Sequence, residues 1–166
     1  MKNLLRSGAA AAIALGLLTG GGATTASAAA EAPATASSAR CFVPSTANQS
    51  VLRTLKAVGD KRGITYRVRL AMFETAWVES HANNLKCGTG SSVGVFQQTS
   101  AWGTYAQRTN VTWAASRFLD QAIPNARRHP SWTAGQVAQS VQRSAYPTRY
   151  DQAKATATRL IAQSAH

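Results

Sequence analysis

Acidic residues are scarce in this 166-residue chain: six Asp and Glu stand against eighteen Lys and Arg, for a net charge of +12. A surface of that sign excludes basic partners and favours polyanions, either nucleic acid or the acidic peptidoglycan and teichoic acids of a cell wall. The blander alternative is arginine spread over solvated helix faces. Cysteine is nearly absent, Cys41 and Cys87 being the pair, and His81, His129 and His166 are scattered. No metal-ligand spacing results, and neither a metal nor a cofactor is expected. No apolar run is long enough for a stable membrane span, no internal repeat is present, and no nucleic-acid-binding motif occurs, so nucleic acid is not the expected partner.

Lys2 and Arg6, the apolar run from Ala9 to Leu18, and the small residues Ala26-Ser27-Ala28 read as a secretory signal peptide over residues 1–28. An uncleaved anchor is the alternative. Residues 29–40 are Ala, Ser, Thr and Pro with a single acid, Glu31, and cannot build a core, so they read as a flexible tail or pro-segment. The folded part is expected over residues 41–166, long enough for one hydrophobic core. It keeps fifteen basic and five acidic residues, a net charge of +10. In an exported, cell-wall-associated chain the cysteine pair argues for one disulfide between Cys41 and Cys87, two free thiols being the other possibility. A monomer is expected.

Helical spacing at Val51, Leu52, Leu55 and Val58, after Ser45 as N-cap, predicts a first helix ending near Gly59. From Tyr66 to Ser80 apolar residues recur at three-to-four spacing with almost no polar interruption, which predicts a central helix buried on most sides. Residues 83–92 read as a loop, residues 92–98 as a short strand or a helix start, and Trp102-Gly103 as the lip of a groove. Ala114, Ala115, Phe118, Leu119 and Ala122 form a helical stripe capped near Asn110 and stopped at Pro124. Further helices are predicted from about Ser131 to Ser144 and from Tyr150 to Ala162. The expected fold class is mainly α, α+β at most: one domain of about five helices, a loop-rich insertion and at most a small β element.

Two of the few acids, Glu74 and Glu79, fall on the central helix. Five residues apart, they point about 140° from one another and are not a dyad. Either can be a buried structural carboxylate paired to an arginine. Glu79 stands where the apolar helix gives way to a wetter loop, a boundary at which a carboxyl can keep its proton near neutral pH.

Glu79-Ser80-His81-Ala82, followed about a dozen residues on by Ser92-Val93-Gly94-Val95-Phe96-Gln97, resembles the signature of lytic transglycosylases and goose-type lysozymes. In that family a Glu-Ser pair ends the catalytic helix and a Ser-x-Gly-x-x-Gln segment follows. The runs Ala114 to Ala122 and Gln142-Arg143-Ser144-Ala145-Tyr146-Pro147 are similar to those of small secreted actinobacterial lysozyme-like proteins. The resemblance covers most of the chain after Ile64.

The resemblance implies a lysozyme-like fold and cleavage of the β-1,4 bond between N-acetylmuramic acid and N-acetylglucosamine in peptidoglycan glycan strands. Glu79 is then the general acid that protonates the leaving oxygen. Either the muramyl 6-hydroxyl closes an anhydro ring, as in transglycosylases, or water enters, as in hydrolases. A second carboxylate across the bond is not evident, because Asp60, Asp120 and Asp151 lie in contexts that suit solvated or capping roles. A single acid/base is expected, with Glu74 and Ser80 as supporting residues. Ser92, Gln97 and Gln98 offer directional donors and acceptors for sugar. Trp102, Tyr105 and Tyr146 can stack on sugar faces, whereas Trp77, Trp113 and Trp132 are assigned to packing. Many transglycosylases carry a Tyr-Asn-Ala-Gly segment whose Tyr bonds the acid; here Gln142 stands at that place, with Tyr146 or Tyr150 taking over its work. The rival readings are a non-catalytic module binding cell wall or chitin, and a basic protein acting by charge alone on anionic envelopes.

Overall fold

The computed structural model describes residues 41–166; the expected signal peptide and tail fall outside the described residues. Helices form where the apolar spacing and the caps agree. Helix α1, Gln49–Lys61, starts at Asn48, whose side chain accepts from the Ser50 and Val51 amides. Asn48 thus replaces Ser45 as the cap, and the helix runs through Gly59 into the expected turn. Helix α2, Tyr66–Ser80, is capped by Thr65. A 3-10 turn at Ser100–Trp102 and the one-turn α3, Tyr105–Arg108, lead to α4, Val111–Arg128. Helix α5 is Ala134–Gln142, and the last helical segment divides at Ala153 into α6, Arg149–Gln152, and α7, Lys154–Gln163.

The described part is therefore mainly helical, with seven α-helices and no sheet among the described residues. The one-turn α3 and the break at Ala153 account for the excess over five. Residues 92–98 form neither strand nor helix but a tight turn closed by a single antiparallel bridge between Val93 and Gln98.

Pro124 does not end α4, which continues to Arg128. The last turn is held from outside: the Arg67 guanidinium donates to the carbonyls of Ala126, His129, Pro130 and Trp132 at 2.6 to 3.0 Å. Ala122 and Ala126 on either side of the proline are buried.

Helix α2 is the centre of the packing, touching α1, α4, α5, α6 and α7. Leu70, Met72 and Phe73 are buried on different faces of it, each contributing about 1.5–3 kcal/mol. Glu74 and Thr75 are buried among them, so the helix has no solvent face along its middle. Its C-terminal turn is sharp because His81 and Ala82 both take left-handed conformations, at φ 50° and 56°. Non-glycine residues there cost roughly 1–2 kcal/mol each. The His81 and Ala82 amides return to the Trp77 and Ala76 carbonyls, the His81 ring stacks on Trp77 at 4.3 Å, and its Nδ1 lies 2.9 Å from the Pro44 carbonyl. The chain leaves the core immediately after Glu79-Ser80.

A disulfide joins Cys41 to Cys87 across 46 residues. Closing a loop of that length contributes about 4 kcal/mol in the chain-entropy account. None of the described helices is long and apolar enough to cross a membrane.

Candidate functional site

Glu79 sits on the last turn of α2 with its side chain 15% exposed. Two devices bring the 92–98 turn up beside it. The Ser80 hydroxyl, itself buried, donates to the Val95 carbonyl at 2.8 Å, and the Gln142 amide of α5 donates to the Phe96 carbonyl at 2.9 Å. Val95 and Phe96 are buried, and the Phe96 ring stacks on Phe118 of α4 at 5.0 Å. Gly94, at φ +80°, passes so close to Arg108 that a Cβ would lie 2.1 Å from its carbonyl oxygen, so no other residue fits. Beneath the turn the buried Arg108 donates to the carbonyls of Ser91, Gln98 and Gly103.

The resulting cleft measures about 710 Å³. Cys41 and Val43 line it from the segment before α1, and Leu85, Gly88, Thr89, Gly90 and Ser92 from the loop that the disulfide ties to that segment. Glu79, Gln97 and Arg149 complete the lining. Gln97 is held in a left-handed conformation at φ 45°, its amide nitrogen donating to the Cys87 and Gly94 carbonyls. Its Oε1 is left to accept from a ligand. A Cβ on Gly88 would lie 2.0 Å from that oxygen, so glycine keeps room for it.

Tyr150, fully buried on α6, donates its hydroxyl proton to Glu79 Oε1 at 2.7 Å. Burial, reinforced by the Glu79 charge and hydrogen bond, holds the Tyr150 phenol well above its ordinary range. Tyr150 therefore remains a donor at any physiological pH. Arg149 lies beside it, with Nη2 3.8 Å from Glu79 Oε1 and 3.1 Å from the Val78 carbonyl. The hydrogen bond goes to the carbonyl, and the carboxylate is not locked to the guanidinium. Asp151, next along α6, accepts from the Thr133 hydroxyl and the Gly135 amide at the start of α5. A Cβ on Gly135 would come 2.3 Å from the Asp151 carboxyl carbon, and this close approach seats α6 against α5.

Of the residues singled out from the sequence, Glu79, Ser92 and Gln97 share the cleft. Tyr150, of the two tyrosines considered, contacts the acid. Others lie elsewhere. Gln98 is buried, its amide directed at the Ala114 carbonyl and its backbone paired with Val93. Trp102 packs half-buried against the core, and Tyr146, 72% exposed, is not part of the cleft lining. Tyr105 reaches only the Lys86 carbonyl, at 3.5 Å. Gln142 faces the 92–98 turn rather than Glu79. Asp60 and Asp120 form exposed ion pairs with Lys56 and Arg69 and with Arg62 and Arg117.

The acid most withdrawn from water is Glu74, not Glu79. It is fully buried, with both carboxyl oxygens lacking a hydrogen-bond partner among the described residues. Burial pushes its pKa up to about 8, with Asp151 adding to the rise and Lys154 opposing it. Glu74 is among the residues lining a separate hollow of about 290 Å³, with Tyr66, Arg67, Thr133, Asp151 and Lys154. A further concavity of about 610 Å³ beside Trp77, Arg159 and Leu160 contains no acid among its lining residues.

Arg149 is the site residue that sequence reasoning missed, because an arginine in a chain with eighteen Lys and Arg reads as surface charge. Its place directly before Tyr150 was the available signal. No protein-family model matches the chain, and no curated protein is significantly similar to it.

Proposed function

We propose that this chain is an exported enzyme that cleaves the β-1,4 bond between N-acetylmuramic acid and N-acetylglucosamine in peptidoglycan, with Glu79 as its single general acid/base. The observation that carries the reading is the Tyr150–Glu79 hydrogen bond at the edge of a cleft that also presents Ser92 and Gln97. The order of motifs in the chain, which resembles lytic transglycosylases and goose-type lysozymes, supports it. So does a disulfide, which suits an oxidising compartment.

The geometry suits a single acid. Tyr150 occupies Glu79 Oε1, so the proton to be delivered is carried on Oε2. Transfer of that proton to the glycosidic oxygen breaks the bond to the muramyl carbon and leaves Glu79 as a carboxylate. The carboxylate then takes a proton from water, giving a reducing end, or from the muramyl 6-hydroxyl, giving an anhydro ring. No second carboxylate is needed in either route, and Glu79 is the one acid among the cleft's lining residues. Ser92 and the Gln97 Oε1 supply a donor and an acceptor for hydroxyl and acetamido groups.

Purified cell walls incubated with the chain, with soluble products read by mass spectrometry, test the proposal. Muropeptides should appear, and those lighter by one water identify ring closure over hydrolysis. Glu79→Gln should lower the rate by about 10²–10⁴-fold. Tight wall binding with no cleavage by the wild type would overturn the reading in favour of a non-catalytic binding module.

A further inference from the structure

The cleft lining carries two charged side chains, Glu79 and Arg149. Arg149 is unlike the other inward arginines. Arg67 and Arg108 spend their guanidinium groups on four and three backbone carbonyls respectively. Arg149 makes two hydrogen bonds, from Nη2 to the Val78 carbonyl and from Nη1 to Ser144 Oγ at 3.4 Å. A guanidinium has five N–H donors in a fixed fork. Those that remain make no hydrogen bond to the described residues, and the side chain is 34% exposed.

The group is also held in place. The Val78 carbonyl fixes one nitrogen, and the Tyr150 ring lies 5.5 Å from the guanidinium carbon. A fixed, half-exposed fork loses little freedom when it binds a planar anion.

We propose that Arg149 selects glycans bearing a carboxylate beside the scissile bond, supplied by the lactyl group of a muramyl residue or by its stem peptide, over neutral chains such as chitin. This rests on the glycan-cleaving reading above and names its substrate class. The physical reason is the shared charge balance of the pair. A proton donor must carry its proton, and a neutral carboxyl at Glu79 leaves Arg149 without a counter-charge. The free N–H groups of the fork can then take another anion. A substrate carboxylate on the Arg149 fork, whose Nη2 lies 3.8 Å from Glu79 Oε1, supplies one, whereas a chitin chain has none to offer. Arg149 is thereby a positioning and specificity residue rather than a catalytic one.

The test compares kcat/KM on three substrates: glycan strands stripped of stem peptides, which carry free lactyl carboxylates; strands with intact stems; and chito-oligosaccharides. The wild type should prefer the carboxylate-bearing strands, and the better of the two shows which carboxylate is read. Arg149→Gln should lower the ratio of carboxylate-bearing to neutral turnover by about ten- to hundredfold, with Arg149→Lys recovering part of it. Partial misfolding lowers all three rates together and leaves the ratio alone. An unchanged ratio in Arg149→Gln, or no preference in the wild type, overturns the proposal. If the wild type cleaves none of the three, equilibrium binding of the same glycans separates the two ideas. Discrimination lost in Arg149→Gln keeps Arg149's role and removes the enzyme reading; its absence removes both.

Discussion

Glu74 and Glu79 lie on one helix, less than two turns apart, in opposite circumstances. Glu74 is fully buried with no hydrogen-bond partner for either oxygen among the described residues, and burial raises its pKa to about 8. Glu79 stands at the rim, with a tyrosine proton on one oxygen and a cleft beside it. Withdrawal from water raises a carboxyl's pKa but gives it no access to a ligand. A carboxyl that no substrate can reach affects folding, whereas one that is oriented and accessible can move a proton to a ligand.

The largest expected consequence is for stability, at Glu74. Unfolded, Glu74 titrates near the ordinary glutamate value of 4.5; folded, burial holds it near 8. Below the lower value both states are protonated. Between the two the unfolded state ionises first, so stability falls as pH rises and levels off above about 8. The loss should be on the order of a few kcal/mol. In Glu74→Gln that slope should vanish, leaving the variant the more stable form at pH 8; urea unfolding at pH 4.5, 6 and 8 checks it. A slope as steep as the wild type's would place the burden on another group.

A smaller effect is expected at the rim. Tyr150→Phe removes the donor to Glu79 Oε1, and hydrogen bonds to charged groups are worth about 1.5–3 kcal/mol. Turnover on cell walls should fall about ten- to hundredfold with KM little changed. A wild-type rate in that variant would make the contact incidental. The smallest effect is expected from Asp151→Asn. Asp151 adds to the rise at Glu74, so the pH at which stability levels off should move below its wild-type position.

How far the sequence revealed this arrangement depended on whether the signal was local. The unbroken apolar spacing around Phe73 announced a buried central helix, and Glu79-Ser80 before a polar run marked where it would end. The cysteine pair indicated the disulfide now seen between Cys41 and Cys87. Pro124 misled because the support for its helix comes from Arg67, some sixty residues earlier. Gln98 looked like a sugar ligand beside Gln97, yet the Val93 bridge turns it inward. Arg149 was hidden because only the folded chain shows which arginines have carbonyls to satisfy. The apolar shelter expected at Glu79 fell instead on Glu74, where α2 is covered on every side.

The most direct measurement is the rate of muropeptide release from purified cell walls by Glu79→Gln and Glu74→Gln, side by side with the wild type. Assigning the chemistry to the rim predicts that the first loses at least about a hundredfold while the second stays within about threefold, a change worth under ~1 kcal/mol. The reverse order, with Glu74→Gln inert and Glu79→Gln active, would contradict it.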